Sequence, residues 1–322
     1  MSPPGRVVVV FDADGVRRES AFGMADVARR APASHETPWP WFSITKLFTV
    51  TAAMRLAERG AIDLDAPAAR WVPAISRLRP ASWAARITPR HLMAHAAGIA
   101  NPIPLRWIRP ASEPAPDVEA LAERRIAEHR VLRFRPGSKA RYTNLGTLVL
   151  GAAMQRASGT PFAELVAREV LAPLAMTRTG FERPEGTAVG YHPRWNPMRW
   201  LVPRWVVGAR VGRWVSTRPF LVDGPPYGGL VGPALDLVRF GRMHLRDGEL
   251  DGARVLSPSS ARAMRHDALG FHRAPPFVEH YGGGPGFFDL LRLDPARGVG
   301  VIVLGNATKY DIEAVARRAL SA

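Results

Sequence analysis

The sequence predicts an α+β fold in which strands from both ends of the chain form one antiparallel sheet and helices lie between them. Near the start, β-rich runs at 6–11 and 16–24 flank Asp-Ala-Asp-Gly, a turn sequence, and so predict a hairpin. Near the end, an alternating run at 286–293 and a β-branched run at 298–304 predict two further strands. Strands at both ends with helical segments between them favour a sheet flanked by helices.

The helix that follows the N-terminal hairpin is predicted to begin at Ser43. Its apolar residues Leu47, Val50 and Met54 recur at three- and four-residue steps, and Gly60 is placed to end the helix. We therefore expect a helix with a buried apolar stripe and with Ser43 at its N-terminal end.

Further helices are predicted through the middle of the chain and again near its end. One begins at Pro89 with Thr88 as its N-cap, and the others cover 118–130, 145–154, 165–174, 236–245 and 312–320. We expect two subdomains with the site between them. Residues 1–75 and 225–322 are expected to form a mixed α/β subdomain, and residues 76–224 a mostly helical one.

The composition is that of a large globular chain. At 322 residues and 47% hydrophobic it is able to bury a large core, and it has no run of eighteen apolar residues that would span a membrane. The first residues lead into a predicted strand. This apolar stretch is too short for a secretory leader and is followed by the acidic Asp12, so a cytoplasmic location is expected. The absence of cysteine excludes disulfides, thiolate metal ligands and a cysteine nucleophile.

The formal net charge of +16 reflects arginines scattered along the whole chain. No basic block accompanies a recognition module, so no specific nucleic-acid partner is predicted. No cofactor or metal site is predicted either. His91 and His95 lie four residues apart on a predicted helix, but the Glu of a zinc-protease helix is missing.

A serine three residues ahead of a lysine is the first candidate for chemistry. The chain has only three lysines, at 46, 139 and 309, against a strong preference for arginine. Side chains three apart on a helix lie on one face, with Cβ atoms about 5–6 Å apart, so Ser43 and Lys46 are expected to share a hydrogen bond. A lysine whose pKa is lowered by an apolar setting is able to act as a base for a serine nucleophile. A capping serine beside a surface lysine is the alternative.

A second candidate is Tyr142-Thr143-Asn144, on a turn just before a predicted helix. A tyrosine beside a lysine ammonium is expected to have its phenolate favoured, which makes Tyr142 a candidate base or proton shuttle. The Asn144 amide is placed to hold both the lysine and a substrate carbonyl. The alternative is an asparagine that only caps the next helix.

A third candidate is the glycine-rich run at 280–286, immediately before a predicted strand, for which a simple turn between strands is the alternative. Glycines let a backbone approach a ligand closely and offer amide hydrogens, which suits an oxyanion hole. A phosphate-binding loop is not favoured, because neither Gly-Lys-Ser/Thr nor a helix follows.

In this order, S-x-x-K, Y-x-N and a late His-x-Gly before a strand resemble the serine β-lactamase and penicillin-binding-protein superfamily, in its class C β-lactamase and esterase branch. The runs at 92–99, 227–230 with 236–237, and 280–287 resemble that branch's L-L-x-H-x-S-G-I, G-G-L…D-L and H-x-G-G-x-P-G-F elements. The resemblance covers roughly residues 5 to 310 and implies a β-lactamase-like fold.

The resemblance implies a role for each matched residue. Ser43 would be the acylated nucleophile, and Lys46 with Tyr142 the base pair. Asn144 would contact the substrate amide, and the backbone amides of Ser43 and Gly283 would form the oxyanion hole. His280, Tyr281 and Gly282 would complete the binding surface.

One departure bears on the substrate. His280 and Tyr281 stand where lactamases usually offer Lys and Thr or Ser to a substrate carboxylate. The sequence therefore favours a hydrolase acting on a small ester or amide. The alternatives are a true β-lactamase or D-amino-acid peptidase or amidase, and a non-catalytic module that binds a ligand or a membrane surface. The oligomeric state is not predicted.

Residues 191–218 are the least typical part of the chain. They hold four Trp, six Arg and no acidic residue, with Arg-Trp pairs beginning at 194, 199, 204 and 213. Proline residues exclude one regular helix across the first half. One interpretation is a loop whose Trp side chains pack on the body beneath Arg stems. The other is a lid or an interfacial element with weak affinity for membrane surfaces.

Overall fold

The computed structural model of the chain describes residues 2–102, 107–196 and 201–321. Within these ranges short helices and strands alternate. The strands are β1 Gly5–Asp12, β2 Val16–Asp26, β3 Ala31–Pro32, β4 Trp39–Pro40, β5 Ile108–Pro110, β6 Tyr191–Pro193, β7 Val207–Val211, β8 Trp214–Thr217, β9 Phe220–Val222, β10 Val231–Gly232, β11 Glu249–Leu250, β12 Ala253–Arg254, β13 His272–Ala274, β14 Phe277–Gly284, β15 Phe287–Asp294 and β16 Val299–Gly305.

The α-helices are α1 Thr45–Glu58, α2 Ala81–Ala84, α3 Pro89–Met93, α4 Val118–Glu128, α5 Asn144–Ser158, α6 Phe162–Val166, α7 Pro225–Gly228, α8 Ala234–Leu245, α9 Pro258–His266 and α10 Ile312–Ser321. A single 3₁₀ turn, Phe42–Ile44, leads into α1. The predicted helix at 165–174 is instead α6 followed by a π-helical turn at Ala167–Leu171.

A seven-stranded antiparallel sheet forms the largest layer, in the order β13-β14-β15-β16-β1-β2-β3. The first strand lies between the hairpin partner β2 and the C-terminal β16, where Val8 faces Val303. The prediction of one sheet made from both ends of the chain is therefore confirmed. Together with the helices, this sheet gives the α+β class that the sequence indicates.

Both faces of the central strands are buried. Val7 and Val9 face the main core, which α8 covers, whereas Val8 and Val301 pack with Val315 of α10. Because successive side chains in a strand point to opposite faces, a strand covered on both sides is apolar at nearly every position. This explains the uninterrupted Val-Val-Val-Val run in β1.

The helix α1 is the central element of the helical layer. Almost all of its residues are buried, including Lys46, and it packs against α5 and α7. Gly151 of α5 lies where an added Cβ would approach Pro226 of α7, so these two helices pack closely around α1. The N-terminal end of α1 consequently lies inside the protein.

The alternative interpretation of 280–286 as a glycine-rich turn is wrong for most of its length. Residues up to Gly284 belong to β14, and only Pro285 and Gly286 make the turn into β15. The glycines are required because β14 passes against the 3₁₀ turn of residues 42–44. A Cβ on Gly282 would lie 2.4 Å from the Trp41 carbonyl oxygen, and one on Gly284 would meet the Phe42 ring.

The loop interpretation of residues 191–218 is also wrong, since much of this segment forms a three-stranded sheet in the order β6-β8-β7. Trp214, Val215 and Thr217 give β8 its strand preference, and Gly212, with a φ of 58°, makes the tight turn between β7 and β8. Trp214 is buried, whereas Trp195 is 83% exposed. The Arg-Trp pair that begins at 199 lies outside the described residues.

No helix among the described residues is long and apolar enough to cross a membrane.

The contact between β14 and the 3₁₀ turn predicts unequal effects for two neighbouring glycines. Gly282→Ala should lower both the melting temperature and the rate of any chemistry at Ser43, because its Cβ must displace the Trp41 backbone. Gly283→Ala is the matched control for stability, because its Cβ would meet only the Phe288 ring at 3.9 Å. Thermal unfolding of both variants and serine-probe labelling of Gly282→Ala are the measurements. Equal melting temperatures for the two variants would contradict the close approach.

Candidate active site

Ser43 lies in the middle of the 3₁₀ turn that precedes α1, and it is half-buried. The residue before it, Phe42, has a φ of 44°, a left-handed conformation that is unfavourable for a bulky side chain. Its ring packs 6.1 Å from Phe220 and 5.6 Å from Phe287, measured between centroids. We infer that this packing holds the strained backbone in place and so fixes the direction of the Ser43 side chain.

The expected hydrogen bond between Ser43 and Lys46 is present, since Lys46 Nζ lies 2.9 Å from Ser43 Oγ. The ammonium nitrogen also donates to the Tyr227 carbonyl oxygen at 2.7 Å, and it lies 4.8 Å from the Tyr142 ring centroid. The side chain is 1% exposed, and no carboxylate among the described residues forms an ion pair with it. Burial therefore lowers the pKa of Lys46 well below that of an ordinary lysine, so the neutral amine is favoured.

Tyr142 reaches the same hydroxyl from the other side. Its OH donates to Ser43 Oγ at 2.6 Å and lies 3.3 Å from Asn144 Oδ1. The backbone here is fixed by Thr143, whose side chain caps α5 by accepting from the Gly146 N–H. The capping role that the sequence left open for Asn144 therefore belongs to Thr143, and the Asn144 side chain is available at the site.

The expected phenolate of Tyr142 is not supported. Burial raises the pKa of Tyr142, and the hydrogen bond to Ser43 opposes this only in part. An ammonium beside the tyrosine would favour the phenolate, but burial disfavours the charged form of both groups.

In the run at 280–286, His280 and Tyr281 lie on opposite faces of the sheet. His280 is buried on the site face, with its ring centroid 6.2 Å from that of Tyr142, and burial lowers its pKa well below the usual value. Tyr281 points to the opposite face, where it stacks on Phe288 and hydrogen-bonds Glu313. A direct role for the Tyr281 side chain at the site is therefore wrong, because neighbouring residues of a strand face opposite ways.

A cavity of about 70 Å³ opens directly at Ser43. Apolar and aromatic side chains form most of its wall, and Asn144 and the backbone at Gly283 add polar groups. Its lining residues are Phe42, Ser43, Trp107, Ile108, Asn144, Val222, Tyr227, Gly228, Gly283, Gly284 and Pro285. Such a site suits a small, largely apolar group attached to a polar reacting centre.

Three contributors were not selected as site residues from the sequence. Tyr227 supplies a backbone carbonyl to Lys46, and the only signal for it was its place beside the Gly-Gly-Leu run. Trp107 packs 6.0 Å from Tyr227, between ring centroids, and no motif marks it. His272 lies 4.7 Å from His280 and 5.8 Å from Tyr142, also between centroids, and it too carries no motif.

The fold and the grouping of Ser43, Lys46 and Tyr142 define a β-lactamase-like protein with a candidate serine-lysine-tyrosine site. The model of the Beta-lactamase family matches residues 2–322, and the chain belongs to that family.

Known proteins similar to this chain include an esterase and a penicillin-binding protein. Esterase EstB of Burkholderia gladioli is 31% identical over 203 residues, which cover 58% of this chain and 50% of the esterase. Penicillin-binding protein 4 of Amycolatopsis lactamdurans is 26% identical over 334 residues, which cover 94% and 81% of the two chains.

The octameric penicillin-binding protein homologue from Pyrococcus abyssi has the same fold, with a TM-score of 0.79 and 24% identity. The match covers 99% of this chain and 73% of that one. The resemblance seen in the sequence is therefore confirmed at the level of family and fold. The esterase and penicillin-binding protein among the relatives indicate hydrolase activity.

The lowered pKa of Lys46 predicts how acylation responds to pH. The rate of acylation should rise as pH increases through the pKa of Lys46 and level off well below the pH at which an ordinary lysine deprotonates. Lys46→Arg should abolish the acylation at every pH tested, because a guanidinium does not give up its proton. Pre-steady-state acylation rates measured across pH test both statements. A rate that still climbs at the pKa of a free lysine would contradict them.

Proposed function

We propose that this protein is a serine hydrolase that cleaves a small ester or amide through an acyl-enzyme on Ser43. The observation that carries the proposal is the convergence of two groups on one hydroxyl. Lys46 Nζ and Tyr142 OH lie 2.9 and 2.6 Å from Ser43 Oγ. An amine and a phenol in hydrogen-bond contact with a serine are the arrangement that nucleophile activation requires.

In the acylation step, neutral Lys46 accepts the proton from the Ser43 hydroxyl while Oγ attacks the substrate carbonyl carbon. The carbonyl π electrons move to oxygen, and we assign the backbone N–H groups of Ser43 and Gly283 to the resulting oxyanion. When the tetrahedral intermediate collapses, the bond to the leaving oxygen or nitrogen breaks. Tyr142 donates its proton to that atom and is reprotonated from Lys46.

In the deacylation step, water replaces the leaving group and the same residues act again. Tyr142 and Lys46 together accept a proton from the water, whose oxygen attacks the acyl carbon. The second tetrahedral intermediate collapses with cleavage of the bond to Ser43 Oγ, which takes back a proton. Asn144 is placed to orient the acyl carbonyl, since its side chain lies beside Tyr142 and lines the cavity.

The geometry favours a small ester or amide over a β-lactam. At the third motif His280 is buried and its lowered pKa favours the neutral ring, and the Tyr281 side chain lies on the other face of the sheet. The described part of this strand therefore offers no fixed cation for a lactam carboxylate. We also propose that the chain has the two subdomains that the sequence suggests, with the site between them. One comprises residues 1–75 and 225–322, and the other residues 76–224.

Covalent labelling tests the nucleophile. A fluorophosphonate probe should modify Ser43, and Ser43→Ala should abolish the adduct. Lys46→Ala should slow labelling by several orders of magnitude, whereas Lys139→Ala, which removes another lysine, should not change it. Mass-spectrometric mapping of the adduct and the rate of labelling are the measurements. An adduct on any other residue, or none at all, would overturn the proposal.

A second candidate function is contact with an anionic membrane surface through residues 191–218. Trp195 and Leu201 are 83% and 54% exposed in this segment. Arg204, Arg210 and Arg213 are exposed as well, and none of them forms an ion pair with another described residue. Exposed tryptophan beside unpaired arginine is typical of surfaces that lie at a membrane interface.

Vesicle sedimentation tests this surface. The protein should sediment with vesicles containing phosphatidylserine and much less with phosphatidylcholine alone. Replacing Arg204, Arg210 and Arg213 by Ala should weaken sedimentation at least tenfold. The control replaces three arginines distant in sequence, Arg77, Arg86 and Arg124, so that the net charge is the same. Equal weakening by both triple variants would reject a specific surface.

A further inference from the structure

A second cavity, of about 410 Å³, lies beside Tyr142 and differs in character from the apolar cavity at Ser43. Its lining residues are Ile99, Ala100, Asn101, Pro102, His129, Arg133, Arg141 and Tyr142. Two of these are arginines and none is acidic. The two cavities therefore border the same group of candidate catalytic residues with walls of opposite polarity.

The backbones of the two arginines are both hydrogen-bonded to the segment at residues 95–98. The Arg133 N–H donates to the Gly98 carbonyl at 2.7 Å, and the Arg141 N–H donates to the His95 carbonyl at 2.9 Å. Both acceptors belong to the segment that continues into Ile99 and the cavity wall. The backbone positions from which the two guanidinium groups extend are therefore fixed relative to the site.

Neither guanidinium group is neutralised. Among the described residues, no carboxylate forms an ion pair with Arg133 or Arg141, whereas Arg125 and Arg178 do pair with acids. Two exposed arginine side chains thus border a polar cavity whose described lining residues include no acid. Planar guanidinium groups bind carboxylate and phosphate oxygens through paired hydrogen bonds.

We infer that this cavity is a subsite for an anionic group, a carboxylate or a phosphate, on the leaving portion of the substrate. The inference rests on the proposed function, because the side on which the leaving group departs follows from the role proposed there for Tyr142. The atom that Tyr142 protonates must lie within hydrogen-bond reach of its OH, so the leaving group departs on the side where Tyr142 borders the cationic cavity. The acyl group then occupies the apolar cavity at Ser43.

The subsite also bears on the residues at 280 and 281, where this chain departs from the lactamase pattern. A neutral His280 and an averted Tyr281 supply no fixed positive charge on β14. The positive charge beside the reacting centre comes instead from the segments at 133 and 141. A substrate anion would accordingly bind beside Tyr142 rather than along the strand.

Two matched acetate esters test the subsite. 4-Acetoxybenzoate releases a phenol that carries a carboxylate, and 4-acetoxybenzamide releases a neutral phenol. Each enzymatic rate is divided by the rate at which hydroxide hydrolyses the same ester. The wild-type enzyme should show a kcat/KM about tenfold or more higher for the anionic ester. This preference should fall about threefold in Arg133→Ala or Arg141→Ala and about tenfold, to near equality, in the double variant. Most of the loss should be in KM, because the charge contact is made equally in the ground and transition states.

The control is Arg135→Ala, which removes an exposed arginine between the other two that does not line the cavity. It should leave the preference unchanged, and because the preference is a ratio, a partly unfolded variant does not distort it. If both esters are hydrolysed but the wild-type enzyme shows no preference, or the double variant keeps it, the inference is overturned. Hydrolysis of both esters would still support the proposed function. No hydrolysis of either ester and no labelling of Ser43 would instead reject the proposed function.

The side of the substrate is tested separately. Monophenyl succinate carries its carboxylate on the acyl group, and phenyl acetate is its neutral counterpart. The double variant should not change the ratio of their kcat/KM values. A loss confined to monophenyl succinate would reject the assignment of the anion to the leaving portion.

Discussion

The structure depends on a buried lysine side chain that has no carboxylate partner among the described residues. Lys46 is 1% exposed, and its hydrogen bonds go to Ser43 Oγ and to the Tyr227 carbonyl. A buried ammonium is costly, and a neutral amine much less so, which means that the fold selects the form that is able to act as a base. An acidic neighbour would stabilise the protein and remove that property. The apolar packing of α1 against α5 and α7 is therefore also what sets the chemistry.

Backbone positions then determine how the site is completed. The seven-stranded sheet brings β14 against the turn that carries Ser43, at a distance that only glycine allows at positions 282 and 284. On the opposite side of that turn, α7 supplies a carbonyl rather than a side chain to Lys46. Rings from two further strands hold Phe42 in its left-handed conformation. Among the described residues, helices and strands thus supply much of the surroundings of the nucleophile.

The sequence predicted most of what depends on local pattern. The helix register placed Lys46 beside Ser43, the turn before α5 presented Tyr142, and the apolar runs at both ends predicted the sheet. It did not predict properties that depend on distant packing. The direction of the Tyr142 pKa shift follows from burial by segments far apart in the chain. The face taken by Tyr281 requires knowing that 280–284 is a strand, and a run of glycines has no strand preference to reveal it.

The two cavities suggest why the tyrosine lies where it does. Ser43 opens onto an apolar cavity, and Tyr142, which hydrogen-bonds Ser43, lines a second cavity bordered by Arg133 and Arg141. An acyl group gains from leaving water, whereas an anion gains from a guanidinium, so each end of an asymmetric substrate would favour a different cavity. Such a substrate would bind in one direction, with its leaving atom at the Tyr142 hydroxyl. After cleavage, the anionic product would keep only its contacts with exposed side chains, while the acyl group stayed bonded to Ser43, so that release of the first product would not require the apolar cavity to open.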